Sequence, residues 1–225
     1  MTDMKIVISG YGKMGHMVED VLKRKENVSV LATEDVCSVD PTVARDSVCI
    51  DFTTPDAFRA NYSFIARHFK AAVIGTTGWN DIAPDVIAEF TGCGTPMIYS
   101  SNFSIGVNAT FAALEKISAI LKQAETYVPH IEETHHIHKL DAPSGTARTM
   151  AELVEAGMGI KPEISSFRVG EVPGIHVVEF KSGVDRINIT HEAFSRQGFA
   201  EGAVLAAYMT EGLEGVHTFK DLILK

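Results

Sequence analysis

The chain has 225 residues, 45% hydrophobic and 22% charged, with a formal net charge of −9. That length builds one large domain or two modest ones with ample core, and no apolar run approaches the roughly 20 residues of a membrane helix. The acidic balance argues against nucleic acid or an anionic membrane as a partner. Cys37, Cys49 and Cys93 are an odd number without metal spacing, and Met1 leads straight to a strand-like Ile6-Val7-Ile8 without a signal-peptide pattern. A reducing cytoplasm is the expected setting.

The first hundred residues alternate short apolar runs with helical patterns. Lys5–Ser9 is predicted as a strand, followed by a helix whose inner face is Met14, Met17, Val18, Val21 and Leu22. Strands follow at Val28–Ala32 and Val48–Phe52. Pro55 then opens a helix carrying Phe58, Tyr62, Ile65 and Phe69. Ala71–Ile74 and Met97–Tyr99 are strands on either side of a helix over Pro84–Phe90. Strand–helix alternation with short loops predicts α/β architecture, a Rossmann-type doubly wound parallel sheet.

From Asn102 the pattern changes. A long helix over Ile105–Ala124 is followed by a strand leading into His135, a helix after Ser144, and two strands around a Ser182-Gly183 turn. Val178 and Phe180 before that turn, with Ile187 and Ile189 after it, alternate with polar positions, as in a hairpin with one buried face. A helix over Phe199–Leu213 and an apolar tail at Phe219–Leu224 close the chain. Residues 1–101 read as a dinucleotide-binding domain and 102–196 as an α+β domain with an open mixed sheet.

Gly10-Tyr11-Gly12-Lys13-Met14-Gly15 follows the first strand and opens its helix. In that place the three glycines are a dinucleotide fingerprint: a tight turn, a close backbone approach to the diphosphate, and close helix–strand packing. Glu34 and Asp35, about twenty residues on at the end of the second strand, stand where an acid binds the adenosine ribose. Residues 28–44 hold no arginine or lysine to receive a 2′-phosphate, so NADH is expected to be preferred, with NADPH possible. Ligands of such sheets collect at the carboxyl ends of strands, which gathers Thr53-Thr54, Gly75-Thr76-Thr77-Gly78 and Ser100-Ser101-Asn102-Phe103 around one crevice.

Residues 132–148 carry the chemistry. His135, His136, His138 and Lys139 give or take protons near neutral pH, and Ser144-Gly145-Thr146 opens a helix whose first N–H groups suit an anion. The acidic Glu132-Glu133 stops where this basic cluster begins. Proton donors beside a carboxylate cradle point to an enzyme acting on a small acid. A lysine among other cations is also a better acid at neutral pH. Metal ligation is set aside, because adjacent histidines rarely share an ion and no cysteine or carboxylate lies at standard ligand spacing.

The run Glu-x-His-His-x-x-Lys-x-Asp-Ala-Pro-Ser-Gly-Thr-Ala, from Glu133 to Ala147, resembles the signature of the 4-hydroxy-tetrahydrodipicolinate reductase (dihydrodipicolinate reductase) family. That resemblance implies NAD(P)H-dependent reduction of a cyclic dicarboxylate in diaminopimelate and lysine biosynthesis. It gives His135 as the catalytic histidine and Lys139 as the proton donor. His136, Ser144, Gly145 and Thr146 become the carboxylate-binding set. Gly75-Thr76-Thr77 and Ser100–Phe103 match the places where the family holds the nicotinamide half of its cofactor. It also implies that 197–225 returns to the first domain and that the chain is a homo-oligomer. The chain is short for the family between Asp35 and Val48 and at Ser182–Asp185, the second of which leaves dimer and tetramer equally open. A related aspartate or diaminopimelate dehydrogenase and a non-catalytic NAD(P)-sensing protein are the competing readings.

Overall fold

The structure, a computed structural model, describes residues 3–224. The first half of the chain runs β1 (Met4–Ser9), α1 (Lys13–Leu22), β2 (Val28–Thr33), α2 (Pro41–Arg45), β3 (Ser47–Asp51), α3 (Pro55–His68), β4 (Ala71–Ile74), α4 (Ala83–Cys93) and β5 (Met97–Tyr99). The second begins with α5 (Ile105–Leu121), β6 (Val128–His135), α6 (Gly145–Met158), β7 (Glu163–Arg168), β8 (Gly174–Lys181) and β9 (Arg186–Ala193). It closes with α7 (Gln197–Met209), β10 (Val216–Thr218) and α8 (Phe219–Ile223). The chain through Ser104, with the segment from Phe199 onward, forms one compact unit, and Ile105–Gly198 forms the other.

The first unit is a six-stranded sheet in the order β10-β5-β4-β3-β1-β2, every pair parallel. Its inner strands β3 and β4 are buried along their whole length because both faces are covered. Val7, Cys49, Ala72, Ile74 and Met97 pack on one side with Phe58 and Ile65 of α3 and Val86 and Phe90 of α4. Ile6, Ile8, Val48, Ile50, Val73 and Ile98 pack on the other with Val18 and Leu22 of α1 and with Ala203, Val204 and Ala207 of α7. The small residues of α7 permit close approach; a Cβ on Gly202 would collide with the Phe103 carbonyl. Two features have no counterpart in the sequence reading. The trimmed stretch after Asp35 folds into a single 3-10 turn, Val36–Ser38, and α2. Just before the apolar tail, which forms α8, Val216–Thr218 makes β10, a three-residue edge strand whose His and Thr interrupt any apolar run.

The second unit is a four-stranded mixed sheet in the order β7-β6-β8-β9, with β6 and β7 parallel and the rest antiparallel. Helices α5 and α6 cover one face, where Phe111, Leu114, Met150 and Val154 meet Ile131, Val178 and Phe180. Ser182 and Asp185 close the β8–β9 turn, Ser182 Oγ donating to Asp185 Oδ1 at 2.7 Å. Strand β7 was not predicted. Its sequence, Glu-Ile-Ser-Ser-Phe-Arg, lies on the sheet edge, where a mixed polar surface suppresses the apolar alternation that marks a strand. No helix among the described residues is long and apolar enough to cross a membrane.

Candidate active site

The glycine loop has the shape of a diphosphate cradle. Gly10 has φ +86°, disfavoured for side-chain-bearing residues, and a Cβ there would stand 2.6 Å from the Phe52 carbonyl. A Cβ on Gly15 would strike the Gly10 carbonyl, whereas one on Gly12 meets no described atom within 4 Å. The loop is therefore packed solid beneath and open above, at the point where Gly12 caps α1. A dinucleotide phosphate fits there, received by the backbone N–H groups of the helix start. Lys13 is exposed and Met14 half-buried beside it. Tyr11 turns its hydroxyl to Glu19 of α1, at 2.7 Å.

Other predicted cofactor residues divide by where their side chains go. Thr76 is buried, its hydroxyl donating to Asp51 and accepting the Thr53 N–H at 2.7 Å. Asp51 also takes the Ser9 hydroxyl at 2.7 Å, and burial raises its carboxyl above the ordinary value. Phe103 packs its ring 5.0 Å from Phe219, inside the core. Asn102 accepts the Ser104 N–H at 2.9 Å and is itself bound through its N–H to Ser100 Oγ. These residues build the crevice floor, while Thr77 and Ser101 are exposed beside it and Gly75 half-exposed. Asp35 caps the 3-10 turn by accepting the Cys37 N–H at 3.0 Å. Glu34, the first residue past β2, is exposed.

The histidine site is a product of strand register. Along β6 the residues buried under α5 and α6 are Pro129, Ile131, Glu133 and His135, and along β8 they are Gly174, His176, Val178 and Phe180. Because the strands are antiparallel, the polar end of the β6 row, Glu133 and His135, lies beside the start of the β8 row at Gly174 and His176. The β6–β8 ladder sets Ile131 against Val178 and Glu133 against His176, and β7 places Ser166 beside Glu133 and Arg168 beside His135. The start of α6 lies over this polar end. Ser144 caps the helix by accepting the Ala147 N–H, its own N–H is shared by both Glu133 oxygens at 3.1 and 3.0 Å, and its Oγ is 3.2 Å from His176 Nε2.

Within this cluster His135 is nearly buried, with Nδ1 3.2 Å from the Pro173 carbonyl and Nε2 3.6 Å from Glu133 Oε2. Burial holds its ring below the ordinary histidine value, against the opposing pull of the Pro173 carbonyl and Glu133. A Cβ on Gly174 would come within 3.0 Å of the His135 ring, so the glycine leaves the space the ring occupies. Burial likewise raises the Glu133 carboxyl, but hydrogen bonds from Ser144 and Ser166 bring it net below its ordinary value. Burial holds His176 down at about 4.

The loop from β6 to α6 carries the remaining predicted groups. Lys139 Nζ lies 2.7 Å from Asp141 Oδ1, so the ammonium meets a carboxylate where the sequence led us to expect only cations. Arg168 holds the loop by its carbonyls, Nε to Lys139 O at 3.2 Å and Nη2 to Asp141 O at 2.6 Å. His136 is half-buried; His138 is exposed and paired with Glu171 at 3.2 Å. The space beside Gly145 is open for 4 Å, and Thr146 follows it in the first turn of α6.

Sequence reasoning missed three members of this site. Glu133 is given no role by the sequence, only a place in the acidic pair where the basic cluster begins, and Arg168 and His176 arrive from strands more than 30 residues away in sequence. Contrary to the sequence expectation, a carboxylate does stand among the histidines. Ligand atoms of Glu133, His135 and His176 lie within 4.8 Å of one another. Yet both Glu133 oxygens already accept the Ser144 N–H, and the Arg168 guanidinium 3.5 Å away is a positive charge that opposes a metal cation there.

Comparison with known proteins covers nearly the whole chain. The family model described as dihydrodipicolinate reductase, N-terminus, matches residues 4–103, and the one described as its C-terminus matches residues 106–223. The chain belongs to the dihydrodipicolinate reductase family. A 4-hydroxy-tetrahydrodipicolinate reductase of Christiangramia forsetii is 37% identical over 233 residues, covering 98% of each chain, so its length is close to that of this one. The reductase of Akkermansia muciniphila is 33% identical over 243 residues, again covering 98% of each chain. In fold, the chain is similar to a dipicolinate-bound dihydrodipicolinate reductase from Paenisporosarcina, with a TM-score of 0.79, 20% identity, and 98% and 99% of the two chains covered. The family is one of NAD(P)H-dependent oxidoreductases, as the sequence resemblance implied.

Proposed function

We propose that the chain reduces 4-hydroxy-tetrahydrodipicolinate to tetrahydrodipicolinate, the activity for which its relatives are named. The observation that carries this is the strand register, which sets His135 on one row with Glu133 directly beneath the helix start of Ser144 and Gly145. Such a site accepts a carboxylate at the helix start and offers a proton-transferring ring and a lysine beside it.

Each residue then has a physical task. Gly145 and Thr146 receive a substrate carboxylate through the first turn of α6, with room beside Gly145 for its approach. His136, half-buried at the end of β6, contributes to the same anion site. His135 holds or releases a proton at Nε2, the nitrogen turned away from the Pro173 carbonyl. Lys139 supplies the proton that neutralises the charge developing on the substrate ring. Gly10, Gly12 and Gly15 would hold the diphosphate of a nicotinamide dinucleotide, which supplies the hydride when bound, and Glu34 its ribose hydroxyls. NADH is the preferred form on this reading, because Glu34 repels a 2′-phosphate.

Coupling the purified protein to a dihydrodipicolinate synthase reaction and following the loss of reduced-cofactor absorbance tests the activity. No loss above the synthase blank, with either cofactor, overturns it. The same reading includes a homo-oligomer, dimer or tetramer. It is supported by the outer face of the second sheet, where Val128 and Phe167 are exposed and Ile175 and Val177 half-buried. Light scattering that gives a monomer at micromolar concentration removes that part.

A further inference from the structure

Glu133 is fully buried, and its carboxylate meets groups from four directions. These are the Ser144 N–H at the start of α6, Ser166 and Arg168 Nη2 on β7, the latter at 3.5 Å, His176 Nε2 on β8 at 3.9 Å, and His135 Nε2 on its own strand at 3.6 Å. Two of these contacts organise the neighbourhood. Ser144 ties the carboxylate to the anion-binding helix start, and Arg168 ties it to the carbonyls of Lys139 and Asp141.

The contact with His135 has chemical meaning. A carbonyl oxygen only accepts, so Nδ1, facing the Pro173 carbonyl, carries the hydrogen of the neutral ring. Nε2 then turns a lone pair toward Glu133, and it is buried without a hydrogen-bond partner among the described residues. Two acceptors facing each other at 3.6 Å are unfavourable for the neutral ring. They become favourable once Nε2 holds a proton, because a cation then stands beside a carboxylate. Every other charged or titratable group around the ring works the opposite way or is neutral. Lys139 on the loop and Arg168 on β7 bring positive charge, and His176 on β8, with ring centroids 5.1 Å apart, is a neutral neighbour at physiological pH. His191 of β9 stands behind His176 in the ladder.

We propose that Glu133 is a positioning residue for the reaction. It sustains the protonated form of His135 during proton transfer, and it anchors the carboxylate-binding helix start and the Lys139 loop to one point. This inference rests on the reading of His135 as an acid–base group. It assigns the first residue of the Glu-x-His-His run a task in the chemistry, where the proposed function gives it none.

The test follows the His135 ring directly by NMR titration of labelled histidine in wild type, Glu133→Gln and Glu133→Asp, alongside kcat and KM for each. Gln keeps an oxygen for the Ser144 N–H and removes the charge. The His135 midpoint is expected to fall by about one pH unit in Glu133→Gln, the effect of losing a carboxylate this close. Turnover should fall roughly 10- to 100-fold, less than for loss of the acid–base group itself, with cofactor KM changed less than about twofold. Glu133→Asp, which keeps the charge, should recover much of the midpoint. A midpoint in Glu133→Gln equal to that of wild type reduces Glu133 to a backbone prop and overturns the proposal. Should neither variant fold, nitrogen shifts of the neutral wild-type ring decide, and a hydrogen on Nε2 instead of Nδ1 overturns it. A wild type without reductase activity in the coupled assay defeats the proposed function while leaving the titration result intact, so the two failures are distinguishable.

Discussion

Lys139 Nζ lies 2.7 Å from Oδ1 of Asp141, two positions further along the loop that joins β6 to α6. The ammonium holds the Asp141 carboxyl below its ordinary value, and Arg168 grips the backbone carbonyls of both residues. The lysine is thus held by two side chains, Asp141 at its ammonium and Arg168 at its backbone carbonyl, although it sits in a loop.

Removing that ammonium is expected to stop proton delivery without disturbing the nucleotide loop, which belongs to the other unit. Lys139→Ala should lower kcat by about 10² to 10⁴, the usual span for a lost general acid. Cofactor KM should stay within about twofold of wild type. Steady-state kinetics with both substrates varied measure this, and near-normal turnover takes Lys139 out of the mechanism.

Pyridine-2,6-dicarboxylate, a flat dicarboxylate ring, should inhibit by competing with the substrate if the start of α6 is the carboxylate site. Thr146→Val is expected to weaken that inhibition by roughly 1–2 kcal/mol, the scale of one hydrogen bond to a charged group. Inhibition patterns against each substrate give the answer. Competition with the dinucleotide instead would place the inhibitor at the wrong site.

At the end of β2 the two acids are no longer equivalent, because Asp35 is committed to the Cys37 N–H while Glu34 stands exposed just past the strand. A carboxylate facing the ribose repels a 2′-phosphate by roughly 1–2 kcal/mol, or about 5- to 30-fold in kcat/KM. Wild type should favour NADH by that factor, and Glu34→Ala should narrow the ratio far more than Asp35→Ala. An NADPH preference in wild type contradicts this, as does an unchanged ratio in Glu34→Ala.

The buried histidines make stability depend on pH. His176 is held at about 4 in the fold, against 6.5 unperturbed, first by burial and then by the neighbouring His135. Between those values the unfolded chain binds a proton that the folded chain refuses, so stability rises with pH through this window. The contribution is complete above about pH 6.5 and is lost as pH falls toward 4; from pH 7 to 5 the loss is roughly 2 kcal/mol. His135 and His191, also held below their ordinary value by burial, act in the same direction. Urea midpoints at pH 7 and 5 should differ accordingly, and His176→Gln should reduce the difference. Equal midpoints in wild type would mean that His176 takes up its proton without strain.

Much of the fold is legible wherever burial imposes a period. The predicted strands and helices of the first hundred residues recur because each is apolar on a face that another element covers. Two of the four edge strands escaped, β7 because its residues are mixed and β10 because His and Thr break its three-residue run. In the catalytic run the same division holds. Ser144 declared itself as a helix cap, and the cap is present. Glu133 drew no role because nothing local shows that β6 turns it inward, and His176 and Arg168 become neighbours only through pairings with β8 and β7. Chemistry carried by one segment was readable, whereas chemistry assembled across strands was not.

The alternation along β6 has one further consequence. Ile131, Glu133 and His135 share a face, so the registration that seats Ile131 against Val178 also seats Glu133 against His176. Slipping β6 by one residue would turn the whole set outward, exposing the isoleucine together with the acid and the histidine. Correct assembly of the hydrophobic interior therefore proofreads the catalytic groups. A chain that mispairs these strands loses its compactness along with its activity, and quality control that senses exposed apolar surface removes inactive molecules without inspecting their chemistry.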